Sequence, residues 1–489
     1  MAVLANCKPA DVFHCFEQIC KIPHGSRNEK ALSDYIRDWA KGLGLSVIQD
    51  DLHNLIIKKP AAAGYEMAPA VIIQGHTDMV CEKNADVDFD FLKDPLNIYV
   101  EGDFIKARGT TLGADNGIAV AMAMAILADN KLAHPPLEIV FTSVEEAGMD
   151  GAKGLDASHL TGTRFINVDL GEEGIFLSSC AGGGSVRITL DLAYQPLPAG
   201  NFETWKVFIG GLQGGHSGID INKERGNSNR LLGRVLDTVK TPYYLSYVDG
   251  GSKDNAIPRE AFAIIHVKKD EREKLKKEVE EVEKVFKTEL QHSDAGVFVR
   301  LDEAVALSDG QVFDGQVFAC ETKKRAISLL LVTPYGVDHM SAALPGLVET
   351  SNNLGVVKTA DGTLKINCAV RSSSESRKWV LCRRIAVIAE AFGAKYELTE
   401  GYPGWQYTPH SPLREMFKEI YAKKFGKEAE VVAMHAGVEC GIFADKMPGL
   451  DMISLGPEMH GVHTPDERLS ISSTERTYEF LLEVLKNMK

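Results

Sequence analysis

Apolar and polar positions in the first 180 residues follow two alternating patterns. The runs Val71–Ile73 and Leu137–Phe141 are short and continuously apolar, which is typical of strands buried on both faces. Helical spacing covers Lys30–Leu43, which ends at a glycine, and Gly117–Ala128, which is rich in small residues. Strands that alternate with helices predict an α/β fold with a mostly parallel sheet covered on both faces.

The pattern changes after residue 185. Ser185–Leu192 and Glu203–Ile209 are typical of strands of a second sheet, and the highly charged segment Asp270–Gln291 follows them. The apolar residues of that segment are spaced by four, three and four, which places them on one helix face. We therefore expect a solvated helix that covers a sheet, in preference to a partner-binding helix. The face consists of Leu275, Val279, Val282 and Phe286.

A pattern similar to the first one resumes near Ala394, with a predicted helix at Pro412–Phe425 and a strand at Glu430–Met434. The simplest account is one discontinuous domain that is split by an inserted α+β lid domain. The insert has about 210 residues, nearly twice what one small α/β lid requires, so we expect it to contain two similar α/β layers. The predicted bounds are 1–185 and 397–489 for the first domain and 186–396 for the lid.

Composition and charge bear mainly on the partners and the compartment. The 489 residues are 44% hydrophobic and 25% charged, and the formal net charge of −14 argues against nucleic acid or an anionic membrane as a partner. The nine cysteines have no CxxC spacing, as expected of reduced thiols. The N-terminus does not resemble a signal peptide, and no apolar run reaches the roughly 18–20 residues that span a bilayer. We predict a cytoplasmic protein.

Side chains that can bind metals follow the predicted strands. In His76-Thr77-Asp78, just past the strand Val71–Ile73, residues two apart point the same way, so the carboxylate can orient the imidazole. Asp115 lies between glycines, which let the backbone approach a small ion closely. The two oxygens of one carboxylate can bridge two cations about 3.5–4 Å apart.

Further acidic residues and a late histidine complete a candidate set for two metals. Glu145 and Glu146 follow the strand at 137–141; one can ligate while the other accepts a proton from water, and the spacing does not assign the two roles. Asp169 ends another β-rich run, and His463 returns from the C-terminal region. Nitrogen and oxygen ligands without thiolate favour Zn²⁺, with Co²⁺ and Mn²⁺ as alternatives. Glu172 and Glu173 are alternatives to Asp169 as a ligand, and His460 is the alternative to His463.

Eight short segments, spread in order over roughly residues 8–488, resemble one family. They are GHTDMV, KARGTTLGADNGI, EEAGMDGA, GGHSG, NAIPREA, YPGWQ, HAGVECG and GVHTPDE. The chain is thereby similar to the aminoacyl-histidine dipeptidases (Xaa-His dipeptidase, peptidase D) of the di-zinc aminoacylase/carboxypeptidase superfamily. GHTD and EEAG alone would indicate only the superfamily, whereas the other segments are specific to the dipeptidases.

The resemblance implies a cytosolic metal-dependent dipeptidase with two divalent metal ions. Such an enzyme hydrolyses Xaa-His and other unblocked dipeptides, including β-alanyl-histidine, by attack of a water that bridges the metals. Glu145 would be the general base and Asp78 would orient His76. His76 and His463 would bind different metals and Asp115 would bridge them. The implied metal ligands are His76, Asp115, Glu146, Asp169 and His463.

Four further residues resemble substrate-binding residues of the family: His216, Asn255, Arg371 and Gly437. His216 would donate a hydrogen bond to the attacked carbonyl, Arg371 and Asn255 would hold the substrate carboxylate or the carbonyl, and Gly437 would offer a backbone contact. A plain turn at His216 and an ion pair between Arg371 and a lid carboxylate are the structural alternatives. In relatives with a small lid, a homodimer partner often supplies the histidine, whereas a doubled lid could supply it in cis. Both arrangements stay open.

Two other functions share the same ligands. One is a related di-metal amidohydrolase, such as an N-deacylase or a carboxypeptidase. The other is a non-enzymatic metal- or peptide-binding protein that kept the fold. A dipeptidase should lose activity on N-acetylated dipeptides, which separates it from the amidohydrolase. An intact metal site without turnover would identify the binding protein, although the base and every expected ligand are present in this chain.

Overall fold

The computed structural model describes residues 2–303 and 314–489. Over these ranges the chain folds into two compact units. The first comprises the chain up to Ser179, together with Tyr407–Ala433 and Val438–Lys489, and the second comprises Cys180–Gln406 and Met434–Gly437. Within the described ranges, no helix has both the length and the apolar composition of a membrane span, and the cysteines form no disulfide.

The helices confirm the predictions that were made from the spacing of apolar residues. Pro412–Phe425 forms as predicted, and the helix predicted at Lys30–Leu43 ends one residue earlier. In chain order the helices span Ala10–Ile19 (α1), Lys30–Gly42 (α2), Ala114–Ala128 (α3), Asp150–Gly154 (α4), Ser228–Thr238 (α5), Arg272–Glu289 (α6), Cys320–Val332 (α7), Glu375–Ala391 (α8), Pro412–Phe425 (α9), Cys440–Lys446 (α10) and Ile471–Lys486 (α11).

The strands also follow the predicted runs to within a few residues. In chain order they span Ser46–Gln49 (β1), Leu55–Lys59 (β2), Val71–His76 (β3), Ile98–Glu101 (β4), Phe104–Ala107 (β5), Leu137–Thr142 (β6), Arg164–Asn167 (β7), Ile175–Cys180 (β8), Gly182–Asp191 (β9), Tyr194–Pro196 (β10), Phe202–Gly210 (β11), Gly215–His216 (β12), Tyr243–Gly250 (β13), Ala256–Ile257 (β14), Ala261–Lys268 (β15), Phe298–Glu303 (β16), Gln316–Phe318 (β17), Gly336–Met340 (β18), Val348–Ala360 (β19), Thr363–Ser372 (β20), Lys395–Tyr402 (β21), Glu430–Met434 (β22), Asp451–Ser454 (β23), Met459–His460 (β24) and Arg468–Ser470 (β25).

The first unit is built on a mixed sheet with the order β1-β2-β6-β3-β7-β23-β8-β22. Its central neighbours, β6, β3, β7 and β23, run parallel, and β1, β2 and β8 pair antiparallel at its flanks. The predicted α/β class with a mostly parallel sheet in this domain is confirmed. Because parallel strands end at the same edge, residues that follow β3, β6 and β7 become neighbours.

The helix α3 packs between β3 and α1 in the core of this unit. Its residues from Gly117 to Leu127 are buried on every face, so small side chains such as alanine are required for close packing. Regular helical geometry begins at Gly117, as predicted, because Asp115 (φ −82°, ψ 102°) and Asn116 (φ −117°, ψ 26°) lie outside it. The predicted ligand Asp115 therefore lies in an irregular first turn.

The second unit contains an antiparallel sheet with the order β16-β11-β15-β13-β19-β20-β9-β21. It consists of two halves with the same chain order of strand, helix, strand, strand, helix, strand. One half is β11-α5-β13-β15-α6-β16 and the other is β9-α7-β19-β20-α8-β21. The halves join where β13 pairs with β19, at Gly250 and Val357. The insert is therefore a doubled α+β sheet, with the first half inserted between β9 and α7.

The charged segment of this unit forms α6, which confirms the predicted helix. Its four apolar residues are buried, and most of its charged residues are half-buried or exposed. The four apolar residues pack with Trp205 and Val299 in the core of the first half of the sheet, so the helix covers the sheet as expected.

Candidate active site

The parallel strands of the first unit bring the predicted metal ligands to one edge of the sheet. β3 ends at His76, the turn after β6 carries Glu145 and Glu146, and Asp169 lies just after β7. Because β3 pairs in parallel with both β6 and β7, the C-terminal ends of the three strands lie together. Asp115 joins them from the first turn of α3.

The ligand side chains form two groups around Asp115. On one side, His76 Nε2 lies 3.2 Å from Asp115 Oδ1 and 3.5 Å from Asp169 Oδ1. On the other side, His463 Nε2 lies 3.3 Å from Asp115 Oδ2 and 2.8 Å from Glu146 Oε1. Asp115 therefore presents one carboxylate oxygen to each group, as a bridging carboxylate must.

This donor set fits divalent cations. Ligand atoms of His76, Asp115 and Glu146 all lie within 4.8 Å of one another. In the part of the chain that the structure describes, these carboxylates and that of Asp169 form ion pairs with histidines and with no lysine or arginine. Carboxylates that are removed from water are stabilised by nearby positive charge, which a metal ion can supply. Nitrogen and oxygen donors without sulfur suit Zn²⁺, Co²⁺ or Mn²⁺.

The imidazole of His76 is oriented by Asp78. His76 Nδ1 lies 3.1 Å from the carbonyl oxygen of Asp78 and 3.4 Å from its Oδ1, so Nδ1 donates a proton to Asp78 and Nε2 faces the carboxylates of the ligand group. The Asp78 carboxylate also accepts the backbone N–H groups of Glu145 (2.9 Å) and Glu146 (3.2 Å) and the hydroxyl of Ser26 (2.8 Å). Asp78 thus fixes both the imidazole and the backbone of the glutamate pair.

The turn that carries Glu145 has a strained backbone and is held by a hydrogen bond to a buried side chain. Val144 has φ +53°, which is an outlier for a β-branched residue, and Glu29 Oε1 accepts its N–H at 3.0 Å. Burial raises the pKa of the Glu145 carboxyl well above its usual range; the positive charge of His76 opposes this shift and the negative charge of Asp169 adds to it. A carboxyl group with a raised pKa beside the ligands is suited to exchange protons with a substrate.

The charges of the ligand group act on its members in opposite directions. Burial would raise the pKa of Asp115, but hydrogen bonds with His463 and His76 lower it below the usual range. Burial raises the pKa of Asp169 to about 6. Hydrogen bonds with Asp115 and Glu146 raise the pKa of His463 to about 10. The group as a whole stabilises positive charge at its centre.

Glu439 is a further buried acid beside this group, and sequence reasoning assigned it no role. Its side chain is fully buried, and Oε2 accepts hydrogen bonds from Gln74 Nε2 (2.5 Å) and Thr142 Oγ1 (2.6 Å). Burial raises its pKa to about 8. Its one sequence signal was its place in the family-like segment HAGVECG, because no local pattern links it to strands that lie roughly three hundred residues earlier.

A second polar cluster lies within the second unit and contains His216. The backbone N–H of His216 donates to Asp220 Oδ2 (2.8 Å), and its Nδ1 accepts the N–H groups of Gly218 and Ile219 at 3.2 Å each. Because Nδ1 accepts, the ring proton lies on Nε2, which is therefore a hydrogen-bond donor. Burial, and then the positive charge of Arg371, lower the pKa of His216 and favour this neutral form.

Arg371 lies next to that histidine, near the end of β20, and is 8% exposed. Its Nη1 donates to the Tyr402 hydroxyl (2.9 Å), its Nε donates to Ser217 Oγ (3.4 Å), and its Nη2 lies 3.5 Å from His216 Nε2. Among the described residues the guanidinium forms no ion pair, so the alternative of a pair with a lid carboxylate is not observed. A buried guanidinium without a counter-charge is suited to bind a carboxylate.

The other two predicted substrate-binding residues lie in the same cluster. The carbonyl oxygen of Asn255 accepts the N–H of Ser217 at 2.9 Å. Gly437 has no room for a side chain, because a Cβ at that position would overlap the ring of Tyr402. The structure thus brings all four predicted residues together within the second unit, while their roles stay predictions.

His435 also lies in this cluster and was missed at the sequence level, as was the Tyr402 hydroxyl. His435 is 6% exposed, and its Nε2 lies 2.7 Å from Ser351 Oγ. Burial, and then the charge of Arg371, lower the pKa of His435 to about 3. Both residues occur in segments quoted for the family resemblance, YPGWQ and HAGVECG, but only the pairing of distant strands shows which side chain each one contacts.

Comparisons with known proteins agree with this geometry. The model of peptidase family M20/M25/M40 matches residues 72–487. The chain is 41% identical over 490 aligned residues to the cytosol non-specific dipeptidase of Escherichia coli (strain K12), covering 100% of this chain and 99% of the relative. The crystal structure of aminoacylhistidine dipeptidase from Vibrio alginolyticus superposes with a TM-score of 0.92 at 38% identity, covering 99% of this chain and 98% of that one.

A more distant structure shares the fold alone. The aminopeptidase PepT from Bacillus cereus ATCC 10987 superposes with a TM-score of 0.56 at 14% identity, covering 98% of both chains. Together with the full-length relatives, it confirms the predicted combination of an α/β domain with an inserted lid.

Proposed function

Because the chain belongs to peptidase family M20/M25/M40, we propose that it is a metal-dependent dipeptidase for Xaa-His and other unblocked dipeptides, β-alanyl-histidine included. The observation that carries the proposal is 41% identity, from end to end, to a relative named as a non-specific dipeptidase. That name also places the relative in the cytosol, and we propose the same compartment for this chain.

Two divalent cations are proposed at the edge of the parallel sheet. His76 and Asp169 would hold one, Glu146 and His463 would hold the other, and Asp115 would contribute one oxygen to each. Zn²⁺ is the expected ion, with Co²⁺ and Mn²⁺ as alternatives. When bound, such ions lower the pKa of water and polarise a carbonyl group.

Glu145 is proposed as the general base. It precedes Glu146 in a turn where the backbone N–H groups of both glutamates donate to the Asp78 carboxylate, so the backbone that carries its side chain is held in place. The carboxylate would take a proton from the attacking water and deliver that proton to the amine that leaves when the peptide bond breaks. The raised pKa supports this role, because a carboxyl group must bind the proton long enough to transfer it.

The cluster of the second unit is proposed to bind the substrate. His216 Nε2–H would donate to the carbonyl oxygen as negative charge develops there, and the tautomer set by Gly218 and Ile219 supports this role. Arg371 would bind the substrate carboxylate, which supplies the counter-charge that its guanidinium lacks. Asn255 and Gly437 would line the same subsite.

We propose that His216 completes the substrate cluster of its own chain. It precedes α5 in one half of the doubled sheet and Arg371 lies in the other half, yet their nearest nitrogens are 3.5 Å apart in one chain. A homodimer, which the resemblance also suggested, would then not be needed to complete the substrate cluster. We expect the monomer fraction from size-exclusion chromatography to retain full activity per chain.

The decisive experiment removes the metal and restores it. Protein treated with a chelator should lose activity and regain it with Zn²⁺, Co²⁺ or Mn²⁺. Metal-loaded protein should cleave β-Ala-His and Gly-His and leave N-acetyl-Gly-His intact. Equal turnover of the acetylated substrate would move the protein to the N-deacylases, and bound metal without turnover of any substrate would make it a binding protein.

A further inference from the structure

Asn116 is a buried residue to which the proposed mechanism gives no task. Its side chain is 0% exposed and uses both ends of its amide. Oδ1 accepts the backbone N–H of His76 at 3.2 Å, and Nδ2 donates to the carbonyl oxygen of Val168 at 2.7 Å. Because Asn116 follows Asp115 and Val168 precedes Asp169, one amide connects the backbone segments of three proposed ligands.

Glu467 holds the same loop from the other side. Its carboxylate is 2% exposed and accepts four consecutive backbone N–H groups. Oε2 accepts those of Leu112 (2.7 Å) and Gly113 (3.1 Å), and Oε1 accepts those of Ala114 (2.8 Å) and Asp115 (3.3 Å). Glu467 lies four residues after a proposed ligand, His463, so it connects that segment to the Asp115 loop.

These contacts exceed what a helix cap requires. A helix start leaves up to four N–H groups unpaired, and a local side chain usually satisfies one of them. Here the residue before α3, Gly113, offers no side chain, and the carboxylate that serves the loop comes from a segment about 350 residues later. Asn116 adds two bonds that a cap does not make. Together the two side chains set where Asp115 lies relative to both imidazoles.

We propose that Asn116 and Glu467 are positioning residues that determine metal affinity by fixing the Asp115 loop between the His76 and His463 segments. The inference rests on the proposed metal site and adds residues that touch neither metal nor substrate. Residues that orient ligands in this way typically change metal affinity 10- to 100-fold when they are replaced.

The test uses near-isosteric variants and a matched control. Asn116→Asp keeps the acceptor for the His76 N–H and places a carboxylate oxygen against the Val168 carbonyl. Glu467→Gln replaces one accepting oxygen with an NH₂ group, which cannot accept. The control is Glu138→Gln, because Glu138 is 3% exposed and accepts the backbone N–H groups of Thr161 (2.8 Å) and Gly162 (2.9 Å) away from the ligands.

Two quantities are measured for each protein: the Zn²⁺ dissociation constant, by competition with a chromophoric chelator, and the thermal unfolding midpoint without metal. We expect Asn116→Asp and Glu467→Gln to weaken Zn²⁺ binding by about 10- to 100-fold. Glu138→Gln should change it less than about twofold, whatever its effect on the midpoint. Unchanged Zn²⁺ affinity in both site variants, or an equal loss in all three proteins, would overturn the inference.

A milder variant covers the case in which a substitution prevents folding. Glu467→Asp keeps the charge and shortens the side chain by one methylene, so we expect a smaller loss of Zn²⁺ affinity in a folded protein. Wild-type affinity in that variant, if Glu467→Gln does not fold, would also contradict the inference. Failure of the wild-type protein to bind Zn²⁺ at all would instead overturn the proposed function on which the inference rests.

Discussion

The two polar clusters of this protein shift the pKa of their histidines in opposite directions. In the first unit, hydrogen bonds with carboxylates raise the pKa of His463 to about 10. In the second unit, burial and the charge of Arg371 lower the pKa of His435 to about 3. One cluster stabilises positive charge, and the other keeps its imidazoles neutral around a guanidinium.

The contrast teaches how the work of a peptidase is divided. Carboxylates that converge without lysine or arginine partners suit cations, and a buried guanidinium beside neutral histidine donors suits the carboxylate and carbonyl of a peptide. Each cluster is also built differently. The first comes from residues at the ends of adjacent parallel strands, whereas the second comes from both halves of a doubled antiparallel sheet.

The largest expected effect separates chemistry from binding inside the first cluster. Glu145→Ala should keep two metals per chain but lower kcat by at least about three orders of magnitude, because it removes proton transfer and leaves the ligands in place. Metal content by plasma mass spectrometry and kcat on Gly-His check this. Glu146→Ala is the matched control and should lose metal. Metal loss in the Glu145 variant would show that the roles of the two glutamates are reversed.

The next effect tests the neutral imidazole of the second cluster. His216→Ala should lower kcat by roughly 10²- to 10³-fold with little change in KM, because a donor to developing negative charge acts mainly in the transition state. Asp220→Asn keeps the imidazole and weakens the contact that holds the His216 backbone N–H, together with the ion pairs of Asp220 with Lys223 and Arg225, so its loss in kcat should be smaller. If kcat of the His216 variant stayed at the wild-type value and KM alone rose, the residue would be a ground-state binding group.

Local patterns were sufficient to predict most of the first cluster. His76 and Asp78 are two residues apart after a buried strand, and the glutamate pair follows another, so strand geometry alone brings them to one edge. The buried face of α6 was likewise predicted from spacing within a single helix. In each case the information lies within a few residues, where periodicity can report it.

Contacts between distant segments could not be predicted in the same way. Glu439 reaches Gln74 across 365 positions and Glu467 reaches Leu112 across 355, and neither has a local pattern that marks its partner. The length of the insert predicted that it is doubled, but it did not predict that both halves share one sheet or that the whole first half separates β9 from α7. The hydroxyl of Tyr402 shows its role beside Arg371 only once β20 and β21 both lie next to β9.

Arg371 provides a third, smaller test, which concerns recognition of the substrate carboxylate. Arg371→Ala should raise KM for Gly-His by about 10- to 100-fold, because a charge-assisted hydrogen bond contributes about 1.5–3 kcal/mol. It should change little on Gly-His amide, which has no carboxylate. The control is Arg377→Ala, because Arg377 is an arginine at the surface that pairs with Glu349. An equal loss on the acid and the amide would remove the carboxylate assignment.

The smallest expected effect sharpens the contrast between the histidines. His435 has a folded pKa of about 3 and an ordinary pKa of 6.5, so below pH 6.5 the unfolded chain takes up a proton that the folded chain excludes. Its contribution to stability is therefore complete above pH 6.5 and is lost as the pH falls toward 3, by up to about 1.4 kcal/mol per pH unit. In metal-free protein, the thermal unfolding midpoint should fall between pH 7.5 and pH 5.5. We expect this fall to be about 2–4 °C smaller in His435→Gln than in the wild-type protein. Ser351→Ala removes the same hydrogen bond but keeps the imidazole, so it should lower both midpoints and retain the wild-type fall. If the two variants gave the same pH dependence, the buried imidazole would not be its source.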